Sequence, residues 1–492
     1  MLKKIIETLI TPSFRMGLVA GLLLCCLSVA AVPPQWAVDT LAGKPYMRHA
    51  SLGVAVMDIA TGEMVAGHDV DCSEITASTM KTVTSLTALE TLGADYRFAT
   101  PVWTCGKVDR DGTLHGDLMV TGSGDPAMAS RYIKQDSDLV QQIVAALQRR
   151  GIKRVMGCLR VDGSLYGNTT PYQVDWCVND LAWDYGAGVH SFNWRDNLIE
   201  LSLDVDRDGI AILYTTPSVP GLTLVDNTTV VARGNTLDCT AGYGVPTIVV
   251  HGEVDRRHHG FTAANPLPAA LFEAELRAAL ERAGIPMGEQ PGHGEDRELL
   301  LTHHSPTVAE IIRSLLDRSD NMFAHSLLRA VAVRDSAYLA ACAAGEAVDL
   351  DVAGVAAVKR CLKGLGIDTA PLFMRDGSGL ARANKSSARF FADMLRVAES
   401  RMYAGDIKLR HLMPQAAARV GEPLTGSPLA GEIVLKSGSM SDVQCFVGYW
   451  PADEPRYTWA TLVNNYTCPR RTLRGGLGQL LVNLFGPKPQ NP

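Results

Sequence analysis

At 492 residues the chain is too long for one ordinary core; at roughly 150 residues per domain it suggests about three domains, or one with large insertions. Hydrophobic residues make up 47% and charged residues 20%, which excludes a disordered chain and supplies apolar surface for real cores. Lys+Arg 46 against Asp+Glu 52 leaves a formal charge of −6, so no global basic field draws the chain to nucleic acid.

The N-terminus reads as an address. Lys3, Lys4 and Arg15 precede an apolar run from Met16 to Val32, and small residues at Ser28 to Ala31 stand before Pro33-Pro34. This is the pattern of a secretory signal over residues 1–31, with an uncleaved anchor as the alternative. Leu22-Leu23-Leu24 lacks the small residue expected before a lipidated Cys25. No stable membrane span is expected after cleavage. Beyond the signal lie cysteines 72, 105, 158, 177, 239, 342, 361, 445 and 468, an odd set whose pairing the sequence leaves open. The doublets His258-His259 and His303-His304 lack ligand spacing and read as surface or turn histidines, and no metal is expected.

In chain order, Leu52 to Met57 and Glu63 to Ala66 read as two strands around a turn. A helix follows from Ser78, with Met80, Val83, Leu86 and Leu89 recurring at three-residue intervals and Gly93 as its stop. Residues 100–295 change texture to short β-like runs (Leu198–Leu203, Ile210–Tyr214, Thr229–Ala232, Thr247–Val250) with helices near 137–149 and 267–283. This predicts a mainly-β insertion, read as two lobes. Helical periodicity returns at Pro306, placed as a first helical residue, and persists to about 400 except for a turn-rich stretch near 371–380. Strands follow at 432–437, 443–450 and 457–464, then a helix at 471–485 expected to pack on its own sheet. First and last strands are expected to share one sheet. The domain reading is therefore 32–99 with 296–492, interrupted by 100–295.

Three motifs stand in order: Ser78-Thr79-Met80-Lys81, Ser319-Asp320-Asn321 and Lys436-Ser437-Gly438, the last followed by Ser439. Ser-x-x-Lys alone carries little; the ordered set is hard to reach by chance. Three residues apart on a helix, Lys81 can reach the Ser78 hydroxyl, which is a poor nucleophile until a base removes its proton. Lysine serves as that base only when its pKa falls, through burial or a like charge, and Lys436 is the expected charge. Ser78 N–H, at the positive end of the helix, is placed to meet a developing oxyanion. The bland readings (Ser78 as a cap, Ser319-Asp320-Asn321 as a turn, Lys436 as an edge-strand charge) do not explain the order.

These motifs resemble those of the penicillin-recognising serine acyl-transferases. The long interval between Ser78 and Ser319, Gly122-Ser123-Gly124-Asp125-Pro126, Asp376-Gly377-Ser378-Gly379-Leu380 and Gly448-Tyr449 resemble one branch, the DacB-type D-Ala-D-Ala carboxypeptidase/endopeptidase family (peptidase family S13). The resemblance implies an α/β, multi-domain fold: a penicillin-binding-protein/serine β-lactamase-like transpeptidase domain carrying the large insertion. It implies that Ser78 forms an acyl-enzyme, Lys81 is the base and Ser319 relays a proton to the leaving amine. Asn321 would orient the substrate amide, Lys436, Ser437 and Gly438 the terminal carboxylate, and the N–H groups of Ser78 and Ser439 the oxyanion. Asp180 falls where relatives meet the side-chain amine of a stem peptide; a surface turn is the simpler reading. Implied partners are peptidoglycan stem peptides and β-lactams in the periplasm, with no cofactor and the oligomeric state open, a dimer included. The sequence departs from the family at Ser437, usually threonine, and at Ala381, usually serine. A β-lactamase or esterase on the same scaffold and a non-catalytic wall-binding protein are the alternatives.

Overall fold

The computed structural model describes residues 32–292 and 296–487; the signal segment 1–31 lies outside them. A five-stranded antiparallel sheet forms the centre, in the order Val434–Met440, Val443–Trp450, Tyr457–Asn464, Ser51–Asp58, Met64–His68. The two ends of the chain thus build one sheet, as their hydrophobic runs suggested. Side chains alternate across it with the two-residue strand period. Leu52, Val54 and Val56 join Phe446 and Trp459 beneath the helices Gln35–Ala42 and Arg470–Phe485. Ala55, Met57, Cys445, Val447 and Leu462 face a larger cluster, built with the helices Met80–Thr91, Val308–Arg318, Asn321–Ala332, Leu350–Gly364 and Ala388–Glu399. Leu473, Leu477, Leu480, Leu481, Leu484 and Phe485 of the last helix are all buried on the sheet. Among the described residues no helix is long and apolar enough to cross a membrane.

The chain leaves this body through Ala99–Val108 and returns through Arg297–His304, two adjacent antiparallel strands. Between them lie Thr113–Thr121 and two three-stranded sheets, with helices at Leu139–Arg149 and Pro268–Arg282. All three sheets contribute to one apolar cluster that includes Val102, Leu118, Ile199, Ile248 and Phe272.

Several boundaries differ from the sequence reading. Thr229–Ala232 is not a strand of its own: the strand is Thr223–Val230, fixed by parallel pairing to Thr247–Val254 rather than by an apolar pattern. Pro306 precedes its helix, because Thr307 caps it in a reciprocal box with Glu310. Lys436-Ser437-Gly438 does not end a strand but lies within one, held to Met440 by the tight return to Val443. His259 and His303 are buried rather than superficial; His303 Nδ1 lies 3.2 Å from Gln142 Oε1. The nine cysteines among the described residues are free thiols.

Candidate active site

The helix Met80–Thr91 is buried on every side from Met80 to Leu89, as a helix crossing a core must be. Most of its hydroxyls find partners: Thr82 and Thr87 donate within the helix to Thr79 and Val83 carbonyls (2.8 and 3.0 Å), and Thr84 donates across the core to Gly377 O (2.7 Å). A short 3-10 turn, Ala77–Thr79, carries half-buried Ser78 at its entrance. Ala77 has a positive φ of 44°, a strained conformation for a residue with a Cβ. It is clamped from two sides. A Cβ on Gly379 would stand 1.9 Å from Ala77 O, and one on Gly438 would stand 2.9 Å from Ser78 N. Glycine alone lets both segments close on the turn.

Lys81, fully buried, donates from Nζ to Ser78 Oγ (2.8 Å), Asn321 Oδ1 (2.6 Å) and Ser378 O (2.7 Å). Burial lowers its pKa to about 7, against the opposing pull of the Asp376 and Asp320 charges. Of the two causes the sequence offered, burial and the charge of Lys436, loss of solvent is the one that lowers it. Lys436 is itself pushed well below its ordinary value, by burial first and then by Lys81.

Ser319 ends one helix in the left-handed conformation (φ 63°), and Asp320 caps the next by accepting from Phe323 N at 2.9 Å. That turn aims neighbouring side chains at different lysines. Ser319 Oγ accepts from Lys436 Nζ at 2.9 Å, while Asn321 Oδ1 meets Lys81. Lys436 Nζ also donates to Ser437 O at 2.7 Å. Ser437 is half-buried and Ser439 exposed, both on the strand at the sheet edge. Lys81 thus joins Ser78 to Asn321, Lys436 joins its strand to Ser319, and Gly438 of the same strand packs on the turn that carries Ser78.

Asp180 lies one step out. It is half-buried on the turn Val178–Asp180, and Tyr185 OH donates to its Oδ1 at 3.2 Å; Tyr185 O in turn accepts from Asn321 Nδ2 at 2.8 Å. Burial raises the Asp180 pKa, and the Tyr185 hydrogen bond opposes it.

Sequence reasoning marked the segment Asp376–Leu380 without assigning work to its side chains. In the structure Asp376 Oδ1 accepts from Ser378 N, Ser378 Oγ and Gly379 N, and Oδ2 from Ala381 N and Trp176 Nε1. The wrapped loop presents the Ser378 carbonyl to Lys81. Tyr185 and Trp176 had no signal in sequence, since each acts across a long separation through one contact.

Residues 35–481 match the D-Ala-D-Ala carboxypeptidase 3 (S13) family. The chain is 29% identical over 458 residues to the D-alanyl-D-alanine carboxypeptidase of Actinomadura sp. (strain R39), covering 88% of this chain and 81% of that one. In fold it is similar to penicillin binding protein 4 (dacB) from Haemophilus influenzae, with a TM-score of 0.75 at 23% identity over 91% of this chain and 98% of the other. The same H. influenzae protein complexed with a β-lactam superposes with a TM-score of 0.69 at 24% identity over the same shares. With the match spanning nearly all of the sheet, the insertion and the three motifs, the chain belongs to the D-Ala-D-Ala carboxypeptidase 3 (S13) family.

Proposed function

We propose that the protein is a periplasmic serine D-Ala-D-Ala carboxypeptidase and DD-endopeptidase that acts on peptidoglycan stem peptides through an acyl-enzyme and is inhibited by penicillins. The observation that carries the mechanism is Lys81 Nζ at 2.8 Å from Ser78 Oγ, in a buried setting that brings its pKa to about 7. A lysine so tuned is neutral in a large fraction of molecules near neutral pH and can take the hydroxyl proton. Ser78 Oγ attacks the carbonyl of the penultimate D-alanine. The N–H groups of Ser78 and Ser439 receive the oxyanion. Ser319, hydrogen-bonded to Lys436, passes a proton to the leaving amine. Lys436 and Ser437, beside Gly438, hold the terminal carboxylate; Asn321 orients the substrate amide. Water then hydrolyses the acyl-enzyme. Asp180 offers a carboxylate to an amine on the acyl-side stem. Segments 32–99 and 296–492 act as the peptidase body, with 100–295 as the insertion.

A β-lactamase reading requires a carboxylate free to activate water. The two whose charges reach Lys81 are committed, Asp376 to its loop and Asp320 to its cap. Slow deacylation follows. Labelled penicillin and mass spectrometry test the reading: a long-lived adduct is expected on the peptide containing Ser78. An adduct elsewhere, or none, contradicts it, and a lifetime of seconds favours the β-lactamase.

A further inference from the structure

A groove of about 910 Å³ opens beside Ser319, between the helix Val308–Arg318, the segment Tyr132–Lys134 of the insertion and the stretch Met413–Gln415. Its lining adjoins the proposed site through two residues. Arg318 precedes Ser319, and Gln415 bridges to Val434, two residues before Lys436. The charges of Arg419 and Asp317 are felt at Lys436 itself. The groove also carries a positive excess, Arg131, Lys134, Arg313 and Arg318 against Glu310 and Asp317. Its carboxylates are engaged: Glu310 closes the Thr307 cap, and Asp317 pairs with Arg419 at 2.6 Å. Three of its cations are not. Arg313 donates only to the His411 carbonyl (2.8 Å), Arg318 lies over the Tyr132 ring at 3.3 Å, and exposed Lys134 has no ion-pair partner among the described residues.

We propose that this groove is the binding site for the leaving-side strand of a cross-linked substrate, an acidic peptide. The inference rests on the function proposed above. If Lys436 and Ser437 hold the carboxylate of the leaving residue, everything attached to that residue must extend beyond Ser319, away from the acyl half on Ser78. A leaving D-alanine held at Lys436 is too short to reach into the groove. In a cross-linked dimer, by contrast, the leaving amine belongs to a second stem peptide carrying further free carboxylates. Three unpaired cations on that exit side suit such a strand, and the groove separates endopeptidase from carboxypeptidase substrates by contacts only the former can make.

The test uses the full-length enzyme with the exposed pair reversed, Lys134→Glu with Arg313→Glu, on a monomeric pentapeptide and on a cross-linked muropeptide dimer. Expected is a loss of about tenfold in kcat/KM on the dimer, carried by KM, with the pentapeptide rate and penicillin acylation unchanged within about twofold. The charge-keeping pair Lys134→Arg with Arg313→Lys retains dimer cleavage, because both positions keep a cation. Equal losses on both substrates, no loss on either, or a wild-type enzyme that trims pentapeptide yet leaves the dimer intact overturns the groove assignment. Wild-type enzyme that neither releases D-alanine nor binds penicillin overturns instead the function on which it rests.

Discussion

Trp176 Nε1 donates to Asp376 Oδ2 at 2.9 Å, joining the insertion to the loop that holds Lys81. Both side chains are buried, and Asp376 accepts from five donors, so every contact of its carboxylate is made as an acceptor. Asp376→Asn turns an amide NH2 toward donors and lets the Ser378 carbonyl drift from Lys81. Penicillin acylation is expected to fall about tenfold or more. Because the Asp376 charge pulls the Lys81 pKa upward, its removal shifts the midpoint of the pH–acylation profile downward. Trp176→Phe loses one hydrogen bond to a charged group, about 1.5–3 kcal/mol of stability, and keeps that midpoint. Stopped-flow acylation across pH separates the two.

The Lys81 pKa of about 7 sets the pH dependence of the wild-type enzyme. The neutral amine is the base, so acylation climbs with pH and levels off above about 7; at pH 5 only about one molecule in a hundred carries neutral Lys81. The same depression is a stability cost. Unfolded lysine keeps its proton to about 10.4, so between the two values the unfolded chain binds more protons and stability rises with pH; below the folded pKa the cost is complete. Lys81→Met therefore abolishes acylation and compares better with wild type in urea midpoint at pH 6 than at pH 9. An unchanged difference between the two pH values contradicts a depressed Lys81.

The parts of this site that sequence made legible are those with local grammar. Ser78 and Lys81 share a helix turn, Ser319 and Asn321 flank a helix-to-helix corner, and the short apolar runs at 51–58 and 443–464 announced the central sheet. Contacts across hundreds of residues left no such mark. Nothing around Trp176 points to Asp376, and Tyr185 meets Asn321 through a backbone carbonyl, which any residue could supply. The source of the Lys81 shift was also out of reach. A pattern can suggest that two lysines meet; only the packing of Met80–Leu89 shows that lost solvent outweighs the second charge. Insertion strands such as Thr223–Val230 were obscured because their side chains are largely polar and their register is set by a partner strand.

Gly438 lies against the turn that carries Ser78. A Cβ there would approach Thr76 O, Ser78 N and Thr79 N at 2.8, 2.9 and 3.0 Å, and all three are backbone atoms that cannot rotate away. Gly438→Ala must push the strand and the turn apart, at about 1–3 kcal/mol. The displacement falls on Ser78 N, one proposed oxyanion donor, so penicillin acylation should drop about a hundredfold, as loss of one such donor does. Acylation near the wild-type rate in a folded variant would show that the strand can yield without disturbing the hole.

Arg329 ties the insertion to the helices behind the site. Fully buried, it grips Asp351 through Nε and Nη2 (2.8 and 3.1 Å) and donates to Val189 O and Thr170 O, each at 2.8 Å. His325 Nε2 adds a contact to Asp351 at 3.2 Å. Burial works against the Asp351 charge, but His325 and Arg329 prevail and hold its pKa well below the ordinary carboxylate range. A depressed carboxylate contributes stability above its unfolded pKa and loses it as pH falls through the folded value, so this group remains engaged in mild acid. Arg329→Ala strands a buried carboxylate and two carbonyls, and is expected to cost about 3–5 kcal/mol. Pairing Arg329→Met with Asp351→Leu removes both charges together and should recover part of that loss. Urea midpoints at pH 7 and pH 5 check it: burial raises the Asp351 pKa once Arg329 is gone, so the deficit of Arg329→Ala should narrow at pH 5, where the stranded carboxylate takes up a proton. A deficit equal at both pH values would mean that Asp351 keeps its charge without Arg329.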